Sequence, residues 1–220
     1  MMRATVFDMD GLMFNTEDVY TAVGTEVLRR RGLEFTAALK NEMMGLQPRP
    51  AFEALIRCCG LTDTWQALAA ESNRLFIEML DARLASMPGL FELLDALERA
   101  GMPKAIGTSS CRELVDACLR PFDLAGRFQF ILTAEDIGQG KPHPEIYLTA
   151  ARRFGVPPGE MAVLEDSQNG CLAAAAAGAF TVAVPAAHSR QHDFGAASLV
   201  VESLADAKLY QALGIASVER

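Results

Sequence analysis

The segment "ATVFDMDGLMFNTE" at residues 4–17 decides how the rest of the chain is interpreted. A short run of β-branched and aromatic residues ends there in two aspartates one residue apart, Asp8 and Asp10, and a glycine follows. Like charges repel each other, and burying unpaired carboxylates is expensive. The two aspartates are therefore either solvated turn residues after a strand, or ligands of something positive that lies between them.

Length and charge limit the class of protein. The 220 residues suffice for one sizeable core, or for a core domain with a small accessory domain. The net charge of −8 argues against a nucleic-acid surface, which needs a basic stripe, and against binding to an acidic membrane. We expect neither nucleic acid nor a membrane as partner, and we expect a monomer, with a weak homodimer as the alternative.

The cysteines and the N-terminus favour a cytoplasmic location. Five cysteines, an odd number, match no disulfide framework and no paired CxxC zinc spacing, so we expect reduced thiols. The apolar run before Asp8 is too short for a signal peptide. The alanine-rich run at 171–187 is interrupted by Gly178 and Pro185, which favours a helix followed by a buried strand over a membrane span.

The rest of the chain alternates strand-like runs with helical patterns. Several of the strand-like runs are apolar at nearly every position, as in strands that are covered on both faces. The predicted strands are 4–7, 104–109, 128–132, 161–165, 179–185 and 198–201, and the predicted helices between them are 88–101, 112–120, 144–155 and 167–178. This alternation predicts parallel βαβ units and a doubly wound parallel α/β sheet.

The first two predicted strands are separated by a long segment, most of which (17–84) has apolar positions at helical spacing. A crossover between parallel strands needs a single helix, so the surplus predicts an inserted α-helical cap domain. We place the core domain at 1–15 and 88–220 and the cap at 16–87. Because the insert begins just after Asp10, we expect it to stand over the aspartates as a lid.

Polar side chains follow the ends of four predicted strands. In chain order they are Asp8 and Asp10, then Thr108, Ser109 and Ser110, then Lys141, and finally Glu165 and Asp166. In open α/β sheets, ligands bind at this edge. Four carboxylates with one lysine would repel one another, and Mg²⁺, a hard cation that takes oxygen ligands, resolves the repulsion. Lys141, Thr108 and the backbone N–H groups after Asp8 could then hold a phosphoryl group.

Four segments resemble, in order and spacing, the motifs of the haloacid dehalogenase superfamily. They are "DMDG" (8–11), the run ending in "TSS" (108–110), "GKPHPE" (140–145) and "VLEDSQNG" (163–170). The resemblance covers essentially the whole chain. The helical insert is similar to the cap of the subgroup that contains β-phosphoglucomutase and small sugar-phosphate phosphatases.

This resemblance implies a role for each residue at the strand ends. Asp8 would be the nucleophile that forms an aspartyl-phosphate, and Asp10 would protonate the leaving oxygen and then activate water. Thr108 and Lys141 would hold the phosphoryl oxygens. Mg²⁺ would be bound by Asp8, the main-chain carbonyl of Asp10 and Asp166, with Glu165 nearby or bound through water.

The other expected substrate or phosphate contacts are Met9, Gly11, Thr16, Tyr20, Arg49 and Ser109. Dehalogenases of the superfamily lack the second aspartate, so a halogenated substrate is not expected.

The cap residues favour a phosphatase over a mutase. The mutase pattern has His where this chain has Tyr20, and Lys where this chain has Met44 before Gly45, and Arg49 lies one position away from the mutase arginine. A mutase must grip a second phosphate and exclude water, so these losses favour hydrolysis of a small phosphomonoester, a sugar phosphate or a nucleotide-like compound. A phosphosugar mutase is the alternative. A third hypothesis is a phosphate-binding protein without activity, and the complete catalytic set argues against it.

Two histidines, His188 and His192, lie four residues apart in "HSRQH". This spacing can bind a metal ion on a helix. The HExxH glutamate is missing and the surrounding loop is polar, so we interpret both as solvated.

Overall fold

The computed structural model describes residues 2–43, 46 and 48–216, without the side chains of Asn41 and Asp81. The chain divides into two compact units. The first comprises the described residues of Met1–Asn15 and Ala85–Arg220, and the second is Thr16–Leu84. The sequence analysis puts the corresponding boundaries of the insert at 16 and 87.

Within the described residues, the first unit is built on a six-stranded sheet in which all neighbouring strands are parallel. Its strands are β1 (Ala4–Phe7), β2 (Lys104–Gly107), β3 (Ile131–Leu132), β4 (Met161–Glu165), β5 (Phe180–Ala183) and β6 (Leu199–Val200). Their order is β3-β2-β1-β4-β5-β6, so the chain winds away from β1 in both directions. The predicted doubly wound α/β class is confirmed.

The helices follow one another along the chain in both units. They are α1 (Thr16–Arg29), α2 (Ala37–Met43), α3 (Pro48–Cys59), α4 (Trp65–Arg83), α5 (Leu90–Arg99), α6 (Arg112–Leu119), α7 (Glu145–Phe154), α8 (Gln168–Ala176) and α9 (Ala207–Leu213). Short 3-10 turns cover Arg120–Phe122, Ala125–Arg127, Ala134–Asp136 and Pro158–Glu160. In the part of the chain that the structure describes, none of these helices is both long and apolar enough to cross a bilayer.

The register of the sheet brings the polar strand ends together. Phe7, the last residue of β1, pairs with Ile106 of β2 on one side and with Leu164 of β4 on the other. The amide of Asp8 then donates to the Leu164 carbonyl at 3.0 Å. Asp8 therefore emerges beside Glu165, the last residue of β4.

The core of the first unit explains why its central strands are apolar throughout. Every residue of β1, β2 and β4 is buried, as expected when both faces of a sheet are covered. On one face α7 and α8 pack against the strands, through a cluster that includes Val6, Ile146, Tyr147, Ala150, Val163 and Ala173. Many of these side chains are small, which lets the helices lie close to the sheet.

Two elements of the first unit differ from the sequence prediction. The predicted strand at 128–132 is reduced to Ile131–Leu132, because this edge segment has β2 as its sole partner in the sheet. Helix α9 is not among the elements predicted from the sequence. Its signals are local ones, an Asp206 carboxylate that accepts from the Lys208 amide at 2.9 Å and a Gly214 with φ of 71° at the end.

The chain leaves and re-enters the first unit through two paired segments. Phe14 forms an antiparallel bridge with Ser86. The amide of Asn15 donates to the Ala85 carbonyl at 3.1 Å, and the amide of Ala85 donates to the Asn15 side chain at 2.6 Å. The two connecting segments therefore lie side by side in the first unit.

The second unit is a helical bundle in which α1 packs on α4, and α3 packs on α2 and α4. The ring of Tyr20 lies 4.6 Å from that of Phe76. Arg31, just beyond α1, binds Asp63 at 2.7 Å and Glu71 at 2.8 Å. The hydrogen bonds that Arg31 donates to these two carboxylates raise its pKa above the usual value, so the guanidinium stays charged and links the end of α1 to α4.

Candidate active site

The loop that carries the two aspartates is held by its own backbone. The amides of Met13 and Phe14 both donate to the Met9 carbonyl, and the amide of Gly11 donates back to the Phe14 carbonyl at 2.9 Å. Gly11 has a φ of 79°, and a Cβ at this position would lie 2.5 Å from the Oδ2 of Asp166. Glycine is required here for its conformation and for its size.

A lysine joins the ends of three strands. The Nζ of Lys141 lies 2.5 Å from the Oδ1 of Asp8, 2.6 Å from the Oε1 of Glu165 and 3.0 Å from the Gly107 carbonyl. All three side chains are less than one tenth exposed. The buried ammonium group therefore compensates two carboxylates at once.

Burial and charge shift the pKa values of this group. Burial raises the pKa of Asp8 well above its ordinary value, Lys141 opposes that shift, and the neighbouring acids Glu165 and Asp166 add to it. Burial alone would lower the pKa of Lys141. The negative charges of Asp8 and Glu165 together have the larger effect, so the pKa of Lys141 is raised. The lysine stays charged, and a further cation beside Asp8 would favour its ionised form.

The loop that carries Lys141 is closed by a carboxylate from α7. Glu145 accepts the amides of Gly138 at 2.9 Å and Gln139 at 2.8 Å. These hydrogen bonds lower the pKa of Glu145, so the closure persists at neutral pH. The last residue of the quoted "GKPHPE" motif thus fixes the position of its lysine.

Both oxygens of Glu165 have protein partners. Its Oε1 accepts from Lys141 and from the hydroxyl of Tyr147 at 2.5 Å, and its Oε2 accepts from the hydroxyl of Ser167 at 3.0 Å. Ser167 also caps α8 by accepting the Gly170 amide at 3.1 Å, and a Cβ at Gly170 would overlap the Glu165 carboxyl group. Glu165 is fully buried and fixed from two helices.

Three carboxylates form an acidic cluster. Asp8, Glu165 and Asp166 each offer one oxygen, and these oxygens all lie within 4.8 Å of one another. Oxygen donors at this spacing suit a hard divalent cation such as Mg²⁺. Three carboxylates against the single ammonium group of Lys141 leave an excess of negative charge, so the residues present fit such an ion.

The side chain of Asp10 lies against a different strand end. Its Oδ2 accepts from the hydroxyls of Ser110 at 2.7 Å and Thr108 at 3.1 Å. Among the residues that the structure describes, its Oδ1 is one of two buried side-chain oxygens that lack a hydrogen-bond partner; the other is Thr16 Oγ1. The carboxylate of Asp10 is thus held by one oxygen while the other is left to interact with something else.

Histidine 188 is the site residue that the sequence interpretation got wrong. Its Nε2 lies 2.8 Å from the Oδ2 of Asp166, and its side chain is 15% exposed, so it is not solvated. His192 is half-buried, and its Nδ1 accepts from the Gln168 amide at 3.4 Å. Neither histidine lies on a helix, so their four-residue spacing has no bearing on metal binding.

Four further side chains of the site were not assigned a role from the sequence. They are Ser110, Glu145, Tyr147 and Ser167. Ser110, Glu145 and Ser167 fall inside the quoted motifs, which was the available signal. Tyr147 carries no such signal, because a tyrosine on an apolar helix face is an ordinary structural residue.

The remaining predicted substrate contacts are distributed over both units. Met9 is buried in the aspartate loop, and Ser109 lies between Thr108 and Ser110. In the helical unit Thr16 begins α1, Tyr20 packs on Phe76, and Arg49 is paired with Glu53 at 2.7 Å. Their contacts with a substrate stay predictions. Met44 and Gly45, which were compared with the mutase pattern, lie outside the described residues.

The family of the chain follows from its sequence profile. The profile described as "Haloacid dehalogenase-like hydrolase" matches residues 5–184, which include every strand end of the site. The chain belongs to the haloacid dehalogenase-like hydrolases. The family predicted from the four motifs is confirmed.

Individual relatives of this haloacid dehalogenase-like hydrolase agree with the family assignment. The chain is similar to the "Probable pseudouridine-5'-phosphatase" of Drosophila melanogaster, with 35% identity over 92% of this chain and 90% of the relative. It is similar to the "Phosphorylated carbohydrates phosphatase" of Thermotoga maritima, with 31% identity over 80% and 82%. Among solved structures, CbbY from Rhodobacter sphaeroides in complex with phosphate has a TM-score of 0.83 and 26% identity over 94% of this chain and 96% of that one.

These comparisons bear on the predicted class of enzyme. The family is one of hydrolases, and both sequence relatives are named phosphatases. The hydrolase is a phosphoric monoester hydrolase, as predicted.

Proposed function

We propose that this haloacid dehalogenase-like hydrolase is a Mg²⁺-dependent phosphatase that hydrolyses a small phosphomonoester through an aspartyl-phosphate on Asp8. The observation that carries the proposal is the contact between Asp8 and Lys141 inside a buried cluster of three carboxylates. A lone buried pair would already balance its charges. The two further acids at the same strand ends favour a site that also holds a divalent cation and a phosphoryl group.

The first half of the reaction is assigned to Asp8 and Asp10. A carboxylate oxygen of Asp8 forms a bond to phosphorus as the bond between phosphorus and the ester oxygen breaks. Asp10 donates a proton to the departing oxygen, which leaves as an alcohol. The Oδ1 of Asp10, which is buried and has no partner among the described groups, supports this assignment because its other oxygen is already held by Thr108 and Ser110.

The second half uses the same two residues. Asp10, now a carboxylate, takes a proton from water as the water oxygen attacks phosphorus, and the bond from phosphorus to Asp8 breaks to release phosphate. Lys141 donates hydrogen bonds to the phosphoryl oxygens while it stays paired with Asp8. Mg²⁺, when bound by Asp8, Asp166 and the main-chain carbonyl of Asp10, would offset the negative charge that Asp8 and the phosphoryl group bring together.

The proposed substrate class is supported by the names of the relatives. We propose a sugar phosphate or a nucleotide-like monoester, because the similar proteins are named as phosphatases of pseudouridine-5′-phosphate and of phosphorylated carbohydrates. Thr16, Tyr20 and Arg49 of the helical unit are proposed to take part in its selection, with 16–87 acting as the cap. We further propose a cytoplasmic monomer; among the described residues, no cysteine forms a disulfide.

A panel of phosphate esters with detection of free phosphate tests the proposal. It should include pseudouridine-5′-phosphate, pentose and hexose phosphates and ribonucleoside monophosphates. We expect release that requires Mg²⁺, stops with EDTA and is lost in Asp8→Asn. Interconversion of phosphate isomers with little release would instead establish a mutase. Unchanged release in Asp8→Asn would contradict the assigned nucleophile.

A further inference from the structure

We propose that His188 is a positioning residue that fixes the carboxylate of Asp166 for binding the divalent cation. The inference rests on the proposed function, since it assumes that Asp166 is a metal ligand. It assigns a task to a side chain that lies outside the four motifs and whose interaction the spacing of residues did not predict.

The first observation is the contact between the two side chains. The Nε2 of His188 lies 2.8 Å from the Oδ2 of Asp166, with 15% and 5% of the side chains exposed. An ionised carboxylate can only accept hydrogen bonds, so the imidazole tautomer that makes this contact carries its proton on Nε2. A hydrogen bond to a charged acceptor is stronger than one between neutral groups, and here it is largely shielded from water.

The second observation is that the imidazole ring is wedged beside the aspartate loop. A Cβ at Gly11 would lie 2.8 Å from the Cε1 of His188 and 2.5 Å from the Oδ2 of Asp166. Because Gly11 has no side chain, the ring of His188 and the carboxylate of Asp166 can meet in the space beside it. Ring and carboxylate are restricted together by the backbone that also carries Asp8 and Asp10.

The third observation is that the loop bearing His188 is itself fixed. The neighbouring residue Ser189 is fully buried, and its hydroxyl accepts the Ala186 amide at 3.1 Å while its own amide donates to the Ala186 carbonyl at 3.1 Å. The Ser189 carbonyl then accepts the amide of His192 at 2.9 Å. A residue on such a tight turn can hold its partner in one orientation.

The consequence concerns how Asp166 meets a cation. Holding Oδ2 limits rotation of the carboxylate, and so sets where Asp166 presents its oxygens in the cluster with Asp8 and Glu165. Glu165 is fixed by Lys141, Tyr147 and Ser167, and His188 does the same for Asp166. Partners that orient metal ligands in this way typically contribute about 10–100-fold to metal affinity.

The test is Mg²⁺ binding to the full chain without substrate, measured by isothermal titration calorimetry. We compare the wild type with His188→Phe, which keeps a ring beside Gly11 but lacks the donor. His188→Gln restores an N–H donor at nearly the position of Nε2. His192→Phe is the control from the same loop, since His192 contacts a backbone amide rather than a carboxylate. Asp166→Asn shows whether the titration reports on this site.

We expect His188→Phe to weaken Mg²⁺ binding about 10–100-fold, while His188→Gln and His192→Phe stay within about threefold of the wild type. Thermal melts in EDTA check that each variant is folded. Binding by His188→Phe as tight as in the wild type would overturn the role of His188 and leave the proposed function standing. Equal losses in the Phe and Gln variants would also overturn it, because they would trace the effect to packing.

A different result identifies failure of the proposed function itself. If the wild type binds no Mg²⁺, or if Asp166→Asn binds it equally well, then Asp166 is not a metal ligand. The role of His188 would fall with that assignment.

Discussion

At the scale of single residues, the site depends on one ammonium group that serves two acids. Lys141 contacts Asp8 and Glu165 within 2.6 Å, and its charged form is favoured by both. Removing one partner of a buried ion pair leaves the other charge uncompensated. The same side chain that holds phosphate in the proposed mechanism therefore also stabilises the fold.

We expect Lys141→Met to lower the free energy of unfolding by about 3–5 kcal/mol. We expect phosphate release to fall by at least about 100-fold, since a charged donor to the reacting group is lost. Urea unfolding and steady-state kinetics measure the two effects.

Lys104→Met is the matched control. Lys104 is also buried, but its partner Glu98 is 42% exposed; the Nζ of Lys104 lies 2.8 Å from the Oε1 of Glu98. The control should lose only about 1 kcal/mol and keep its activity.

The second residue prediction concerns the proton shuttle. Asp10→Asn keeps the shape of the side chain and an oxygen or amide group toward Thr108 and Ser110, but it cannot carry a proton to the leaving group. We expect kcat to fall by about 10²–10⁴-fold. Inhibition by inorganic phosphate should change by no more than about twofold, because the phosphoryl contacts remain. Turnover close to that of the wild type would refute the role of Asp10.

The candidate site residues could be predicted because their types and their positions along the chain point to a shared chemistry. Asp8, Asp10, Glu165 and Asp166 lie at or just after the ends of apolar strands, and Lys141 lies in the loop that follows β3. Parallel strands deliver such residues to one edge of the sheet. His188 could not be found in this way. Its loop is far from the motifs along the chain, and its contact with Asp166 depends on the shape of a turn and on the space beside Gly11.

At the scale of secondary structure elements, helices α7 and α8 act on the site through their side chains. Tyr147 of α7 donates its hydroxyl to Glu165, and Ser167 at the N-terminus of α8 donates to the other oxygen. The two helices that pack on one face of the sheet thus also set the orientation of the last residue of β4.

The variant Tyr147→Phe tests this coupling by removing one oxygen atom from the core. A fully buried acceptor then loses a partner, and we expect a loss of about 1–3 kcal/mol in the free energy of unfolding. A double-mutant cycle with Glu165→Gln should give a coupling energy of about 0.5–3 kcal/mol, as for residues in one hydrogen-bond network. Additive effects within experimental error would show that the contact with Glu165 is unimportant.

The elements also show where a sequence pattern is sufficient. Helices α5 to α7 follow their predicted segments because an apolar face marks each of them. Helix α8 follows its segment because it is rich in alanine, the residue with the highest helix propensity. The segment 128–132 has the composition of a strand, but β3 at the sheet edge covers Ile131–Leu132 alone, although Gln129 and Phe130 also share backbone hydrogen bonds with β2. Strand composition does not reveal which strand lies at an edge, and that is decided by the whole sheet. The caps of α9, Asp206 and Gly214, were readable and were overlooked.

At the scale of the whole molecule, the acid stability of the chain depends partly on α5. Glu98 accepts from Arg127 at 2.7 Å, and chiefly this hydrogen bond lowers its pKa from 4.5 to about 2. A pKa that is depressed in the folded state stabilises the fold above the unfolded value, and this contribution is lost as the pH falls from about 4.5 to about 2. Because Glu98 is 42% exposed, solvent screening keeps the contribution small.

We therefore expect Arg127→Met to lower the free energy of unfolding at pH 7 by about 1 kcal/mol or less. The difference between variant and wild type should shrink as the pH falls below about 4.5 and nearly vanish near pH 2. Urea titrations across this range measure it. A difference that stays constant down to pH 2 would mean that Arg127 acts through packing and not through the Glu98 carboxylate.

The architecture was predictable from the order of the elements, because alternating apolar strands and amphipathic helices leave few topologies other than a doubly wound sheet. The surplus of helices between the first two strands predicts an insert. The functions of its side chains were not readable in the same way. Tyr20 and Arg49 lie on helical surfaces, where many polar residues serve solubility alone, and a single sequence does not separate the two roles.

The paired segments at Asn15 and Ala85 have a practical consequence for protein engineering. Because hydrogen bonds hold these two residues next to each other within the first unit, a few glycines could splice them directly. We expect the shortened protein, which lacks residues 16–84, to unfold in one cooperative transition and still to bind Mg²⁺. We expect it to hydrolyse a broader range of phosphate esters than the full chain. Under the proposed role of 16–87 as the cap, an insert taken from a relative and joined at the same two residues should change which esters are hydrolysed, while the strand-end residues stay the same.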